Sequence, residues 1–329
     1  RRHTRSYLKS RGLGDVYKRQ FLTVAAAGFS GCVVQERNPE GQAPRVARDG
    51  SSALRFRPDG SFKIVQFTDT QDDHEIDPRT ARLMETVLDD QEPDLVVFTG
   101  DNIRGGPTTP EEAKRAMDAI VRPVEERRIP WLIAFGNHDE DQTPATGMDE
   151  DAMLAYYRSF PRNVNRPGPA GVHGTGNMYV LIEASTGNGP RFAVWALDSG
   201  RYSPEEFAGQ SIEGDGLPGW DVIRQSQVAW YFRTSEELEA EHGGKIPGLM
   251  FFHIPLREFH FMWENRQNHA VVGEKNEPVS SGPFNSGLFA AMLERGDVRG
   301  VFVGHDHVND FSGDYFGIRL GYSANTGYG

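Results

Sequence analysis

Apolar residues along the chain fall into short unbroken runs separated by stretches of helical spacing. FKIVQFT (62–68) is β-branched and aromatic and follows the turn signal Pro58-Asp59-Gly60, so it reads as a strand. Over Arg79–Asp90 the apolar positions Leu83, Met84, Val87 and Leu88 sit three and four apart behind Pro78, which predicts a helix with one buried face. DLVVFTG (94–100) is a second strand, and WLIAFG (131–136) a third. Between them, Pro110–Arg128 predicts a helix whose Glu111-Glu112 opening and Arg127-Arg128 close suit the helix dipole. A β-α-β-α-β order implies a parallel sheet with its crevice at the carboxyl ends of the strands.

The second half uses other connections. NMYVLIEA (177–184) and RFAVWALD (191–198) flank the turn-rich STGNG and predict a hairpin. Ser226–His242 predicts a helix, and PGLMFFH, VRGVFVGH and FGIRLGY further strands. Two mixed sheets with helices outside them make an α/β four-layer αββα sandwich, one domain from residue 56 to 329. Residues 140–176 and 199–224 are rich in Gly and Pro and read as surface insertions near the site.

The amino-terminal stretch differs from the body. Residues 1–20 hold seven Lys/Arg and one acid, so the remaining chain is more acidic than the whole-chain charge of −12. DVYKRQ (15–20) looks like a translated sequencing adapter, and residues 1–20 are accordingly left out of the fold reasoning as an assembly artefact. Phe21–Phe29 has the length of a secretory apolar region, and Ser30-Gly31-Cys32 resembles the end of a bacterial lipoprotein signal. Residues 33–55 read as a polar tether. The expectation is an extracytoplasmic lipoprotein, anchored to the membrane through Cys32; the bland reading of 21–34 is a core strand or helix.

Composition narrows the function. The acidic balance argues against a nucleic-acid binder, whose affinity rests on Lys and Arg. A single cysteine excludes an intrachain disulfide and a thiolate zinc site. No apolar run reaches the ~20 residues of a membrane-spanning helix.

Metal-ligand residue types follow the strands directly. The first strand runs into Asp69-Thr70-Gln71, the second into Gly100-Asp101-Asn102, the third into Gly136-Asn137-His138-Asp139. Phe252-His253 and Gly304-His305-Asp306-His307 follow later strands. Residues i and i+2 at a strand end share a face, so Asp69 pairs with Gln71 and His305 with His307.

Over residues 62–329 this ordered set resembles the calcineurin-like metallophosphoesterase superfamily, whose pattern is D-x-H, G-D, G-N-H-D/E, a lone His, then G-H-x-H. Trp220-Asp221, Gln227, Trp230-Tyr231 and the Asn325–Gly329 ending are similar to its bacterial and fungal purple-acid-phosphatase-like branch. Relatives continue past such an ending, so the domain is expected to be truncated at its carboxyl end.

The resemblance implies two divalent ions (Mn, Fe or Zn) and hydrolysis of a phosphate ester by a metal-bridging hydroxide. Asp101 would bridge the ions, Asp69 and His307 would hold the first, and Asn137, His253 and His305 the second. His138 would act toward the leaving group. Gln71 stands where the family has His; as a neutral oxygen donor it predicts a weaker first site biased toward harder ions such as Mn²⁺ or Mg²⁺. His74, Asp72 or Asp73 are the substitutes in reach.

Arg104 stands where purple acid phosphatases carry their chromophoric tyrosine. It is a candidate phosphate clamp or a surface salt bridge, and His260 a candidate pocket residue or loop filler. Asp198 is expected to tie down a loop and Asp306 to face away from the metals. The acidic runs Asp139–Asp141 and Asp149–Asp151 read as solvated faces. The function expected is a phosphomonoesterase on a small phosphorylated substrate. Phosphodiesterase or nucleotidase activity is the first alternative, a catalytically silent binding lipoprotein the second.

Overall fold

Side-chain alternation along the strands decides the layering. The structure is a computed structural model and describes residues 21–25, 54–207, 209–211 and 219–328. Cys32, the leader beyond residue 25 and the tether up to residue 53 lie outside the described residues.

The first sheet contains β1 (Phe21–Ala25), β2 (Ser61–Phe67), β3 (Leu95–Thr99) and β4 (Trp131–Ala134), in that order. β2, β3 and β4 run parallel, as the alternating pattern requires. Helices α1 (Pro78–Gln91) and α2 (Pro110–Glu126) make the crossovers. Asp77 and Thr109 cap them, each accepting a backbone N–H of the first turn. Phe21–Ala25, expected in an apolar leader, here pairs antiparallel with β2 and covers the open edge of that strand.

The second sheet begins with the hairpin of β5 (Met178–Glu183) and β6 (Pro190–Ala196), antiparallel as expected. A short hairpin, β7 (Glu206–Phe207) and β8 (Gln210–Ser211), stands apart from both sheets. Then come β9 (Gly248–Phe251), β10 (Val298–Val303), β11 (Ser312–Tyr315) and β12 (Ile318–Tyr322), in the order β11-β12-β10-β9-β6-β5. Leu54 and Phe56 bond to Glu183 through their backbones, which ties this segment to the second sheet.

Period-two burial then builds three cores between four layers. Val65, Phe67, Val96, Phe98, Trp131 and Ile133 face α1 and α2. Their neighbours Ile64, Leu95, Val97 and Leu132 meet Val180, Val194, Leu249, Phe251 and Phe302 between the sheets. Trp195, Met250, Val301 and Val303 face the helices of the far side.

Segment 140–176, read as an insertion, holds α3 (Thr143–Thr146) and α4 (Glu150–Tyr157). Met153, Leu154 and Tyr157 of α4 are buried against the first sheet. Eight residues are too few for the periodic signal to emerge among surrounding Gly and Pro. The far layer is α5 (Gln225–His242), α6 (Arg257–Glu264) and α7 (Leu288–Arg295). No described helix is long and apolar enough to cross a membrane.

Trp131 closes the first core, with its ring edge-to-face against Phe98, Tyr157 and Phe160. Trp131→Ala is expected to destabilise the fold by about 3–5 kcal/mol, read as a lowered denaturant midpoint with an unchanged slope.

Candidate metal centre

Backbone conformation at the strand ends aims the donors. Asp69 (φ 49°), Gln71 (φ 39°), Asp101 (φ 49°) and His305 (φ 74°) all occupy the left-handed region that non-glycine residues rarely adopt. Such strain persists where neighbours over-determine it. Here the Asp69 N–H donates to Gly100 O (3.0 Å) and the Gln71 N–H to Asp101 O (2.9 Å). Close approach matters as much: a Cβ on Gly136 would strike the Asp101 carboxylate, and one on Gly304 the Thr68 hydroxyl and Asp69 carboxylate.

The carboxylates of Asp69 and Asp101 are each 1% exposed. His253 Nε2 lies 3.2 Å from Asp101 Oδ2 and 3.9 Å from Asp69 Oδ1, and His307 Nε2 lies 3.5 Å from Asp69 Oδ1. His305 Nδ1 is 3.3 Å from His253 Nε2. Two donor triads result, Asp101/His253/His305 and Asp69/Asp101/His307, each with ligand atoms within 4.8 Å of one another. They share Asp101, the residue the resemblance makes the bridge.

The donor chemistry fits divalent ions. Asp69 Oδ1, both amide atoms of Asn137 and His305 Nε2 are buried without a hydrogen-bond partner, an arrangement costly unless something else satisfies them. His253 Nδ1 is 2.8 Å from Thr99 O, which assigns the proton to Nδ1 and leaves Nε2 as the donor. Burial disfavours the His253 imidazolium, yet the Asp101 and Asp69 charges outweigh it and hold the pKa up to about 10, so a bound ion would take the place of the Nε2 proton. Burial, reinforced by His253, pushes His305 down to about 3, so it is neutral as a ligand must be. Burial alone would raise Asp101, but His253 keeps it well below the ordinary carboxylate value.

Gln71 reaches the centre in another role than expected. Its Nε2 donates to Asp101 Oδ2 at 2.9 Å, so the side chain steadies the shared carboxylate through N–H. None of the three proposed substitutes takes its place. His74 approaches Glu112 at 3.9 Å, Asp72 accepts the Asp77 N–H at 3.0 Å, and Asp73 pairs with Arg104 at 2.9 Å. That last pair also corrects the reading of Arg104 as a phosphate clamp: it is the surface salt bridge, because Asp73 stands two residues beyond Gln71 and claims the guanidinium. His260 is exposed on α6 with its ring against Phe261, outside both donor triads, so the pocket role is not supported. Asp306 accepts from Tyr322 Oη (2.6 Å) and the Ser280 N–H (3.1 Å), facing away as expected.

His138 stands beside the triads. Its N–H donates to Asp101 Oδ1 (2.7 Å), and its Nδ1 lies 2.5 Å from Asp141 Oδ2. Arg201, in the loop that follows β6, clamps this loop by donating to Asn137 O (2.9 Å) and pairing with Glu140 (3.1 Å) and Asp141 (2.8 Å). Asp141 and Arg201 escaped the sequence reading; the three-residue spacing from His138 to Asp141 was the one signal available.

The acidic runs are only partly solvated: Asp141, Asp149 and Asp151 are exposed as expected, whereas Asp139, Glu140 and Glu150 turn inward to differing degrees. Asp139 is fully buried and accepts the backbone N–H groups of Asn102, Ile103 and Gly136, joining two ligand loops. Burial, then the Asp101 charge, pushes its carboxyl up to about 7 against those amides. Glu150 is likewise raised, to about 10, by burial and then by Asp198 and Glu140. Asp198 accepts the Thr175 and Gly200 N–H groups and ties down its loop.

A four-layer αββα sandwich carrying acidic, imidazole and amide donors at its strand ends is the architecture of a dinuclear metallophosphoesterase. The chain belongs to the calcineurin-like phosphoesterase family, whose model matches residues 62–309. It is 33% identical over 311 residues to "Probable inactive purple acid phosphatase 14" of Arabidopsis thaliana, covering 85% of this chain and 74% of that one. It is 31% identical to Phosphatase DCR2 of Saccharomyces cerevisiae, over 81% of this chain and 47% of that protein. A dimetal phosphatase from Danio rerio shares the fold at 14% identity, with a TM-score of 0.53 over 80% of this chain and 88% of its own.

Two outcomes are expected. Gln71→His supplies the missing imidazole and tightens Mn²⁺ or Zn²⁺ binding at the weaker site, measured by metal titration. Burial and then the Asp198 and Glu140 charges raise the folded Glu150 carboxyl well above its unfolded value, so the proton it holds stabilises the fold at low pH and that contribution is lost as pH rises through the neutral range. Glu150→Gln keeps the group neutral and flattens the fall in melting temperature between about pH 5 and about pH 9.

Proposed function

We propose that the protein is a metal-dependent phosphomonoesterase. The observation that carries this reading is the pair of donor triads sharing Asp101. Asp69 and His307 would hold one ion, His253, His305 and Asn137 the other, with Asp101 between them. Ions there would supply Lewis acidity toward a phosphoryl group and lower the pKa of water. Oxygen and nitrogen donors without thiolate suit Mn, Fe or Zn.

The protein's own residues supply position and protons. Asp141 orients the His138 ring through Nδ1 and leaves Nε2 as the nitrogen that delivers a proton to the departing alcohol. Arg201 fixes the loop that carries both Asn137 and His138. A monoester is favoured because relatives and fold neighbours bear phosphatase names. The acidic chain suits a small phosphorylated substrate rather than a nucleic acid. Ser30-Gly31-Cys32 supports a lipid-anchored, extracytoplasmic protein, in which cleavage before Cys32 would remove β1 and leave β2 as the edge of the first sheet.

A second reading, a silent binding protein, is favoured by Gln71 in place of an imidazole ligand and by the "probable inactive" names of relatives. Para-nitrophenyl phosphate and its bis-ester, assayed with Mn²⁺, separate the readings. The monoester is expected to turn over faster; faster bis-ester cleavage would make the chain a diesterase. No turnover of either with both ions bound would favour the silent protein. His138→Ala is expected to lower the rate about 100-fold or more with metal content unchanged; loss of metal would contradict its assignment.

A further inference from the structure

Two backbone segments run side by side next to the donors. The Ser203 N–H donates to Gly219 O (2.8 Å) and the Asp221 N–H to Arg201 O (3.2 Å), so Arg201–Ser203 and Gly219–Asp221 form a two-stranded ribbon. The Ser203 hydroxyl also bonds to Trp220 O. This ribbon sets Tyr202 and Trp220 ring to ring, with centroids 5.7 Å apart and planes 31° from parallel.

The aromatic pair bridges the two ligand loops. Trp220 meets the ring of His305, a metal-donor residue, edge to face at 4.3 Å. At the other end the Arg201 guanidinium lies 5.5 Å from the Tyr202 centroid while bonded to Asn137 and Asp141. Tyr202 is nevertheless 46% exposed. Burying an aromatic ring is favourable, and an exposed one held rigidly beside a reactive centre is a surface for stacking.

We infer that Tyr202 and Trp220 form a subsite for a planar ring on the substrate, so that aryl or nucleoside phosphate esters are preferred over alkyl ones. This rests on the phosphoesterase reading of the metal centre, and it names the substrate class that reading leaves open. The Ser203–Gly219 and Asp221–Arg201 hydrogen bonds hold the two rings side by side before substrate arrives, which lowers the ordering entropy that opposes stacking. Stacking tolerates any π-face, so aryl and nucleobase rings share this chemistry.

Binding of non-hydrolysable phosphonates tests the subsite independently of turnover. Phenylphosphonate, a nucleoside 5′-phosphonate and methylphosphonate are titrated calorimetrically into the metal-loaded full chain. At least one ring-bearing phosphonate is expected to bind about fivefold or more tightly than methylphosphonate; which one does so separates an aryl from a nucleoside substrate. Tyr202→Ala and Trp220→Ala bring the ring and methyl compounds within about twofold, whereas Trp220→Phe retains the preference. Tyr202→Ala is the decisive variant, because the Tyr202 ring packs on Trp220 and Arg201 whereas Trp220 packs directly on His305, and metal content is measured for each. Equal binding of all three phosphonates by the parent protein overturns the subsite, as does a preference that survives both alanine variants. Ring-selective binding without hydrolysis of any ester would contradict the phosphoesterase reading and leave the subsite standing.

Discussion

Asp69 and Asp101 place two carboxylates in the interior, 1% exposed and within reach of the same imidazole nitrogen. An uncompensated buried charge costs several kcal/mol, and His253 answers only part of it. The backbone irregularities at the strand ends serve this concentration of charge. Four strained residues turn their side chains inward at the strand ends. Glycines at 136 and 304 remove the Cβ atoms that would otherwise hold the loops apart. Asp139 gives up its own solvation to join the loops after β3 and β4. Divalent ions would balance the two carboxylates and also satisfy Asp69 Oδ1, the Asn137 amide and His305 Nε2, which have no hydrogen-bond partner; a salt-bridge cluster would leave those atoms unmet.

The two sheets have to meet for this to happen, since Asp69 and Asp101 come from one and His253, His305 and His307 from the other. The apolar layer between the sheets supplies the adhesion. Polar links set the alignment near the site. Gln66 donates from β2 to Thr99 Oγ1 (2.8 Å) and across to Val303 O (3.2 Å) on β10. After β12 the chain returns beneath the first ligand loop, where the Thr326 N–H reaches Thr68 O (2.9 Å) and the Gly327 N–H reaches Asp69 O (3.1 Å). Site precision therefore depends on packing over the whole sandwich, and damage to either core loosens donors on both sides.

Much of this was legible in the sequence, because period-two and period-3.6 burial leave strong marks. The parallel β2-β3-β4 sheet, the β5-β6 hairpin and α1, α2 and α5 follow from those marks. The donors were legible because each stands directly after an apolar run. Short helices such as α4 and α6 were not, since eight residues span barely two turns and carry little periodicity. Contacts between distant segments were not legible either. Arg104 has no local sign that Asp73 claims it, and Arg201 none that it reaches the loop at 137–141. Asp139 looks like any acid in a charged run until its three backbone donors are placed around it. Trp220 marked a family resemblance, but its position against His305 appears only once both sheets are assembled.

The central claim is that Asp101 lies between two ions. Crystals soaked in Mn²⁺ and measured for anomalous scattering test it most directly. The account predicts two peaks per chain flanking the Asp101 carboxylate, about 3.5–4 Å apart, one near Asp69 and His307 and the other near Asn137, His253 and His305. A single peak, or peaks away from Asp101, would contradict it.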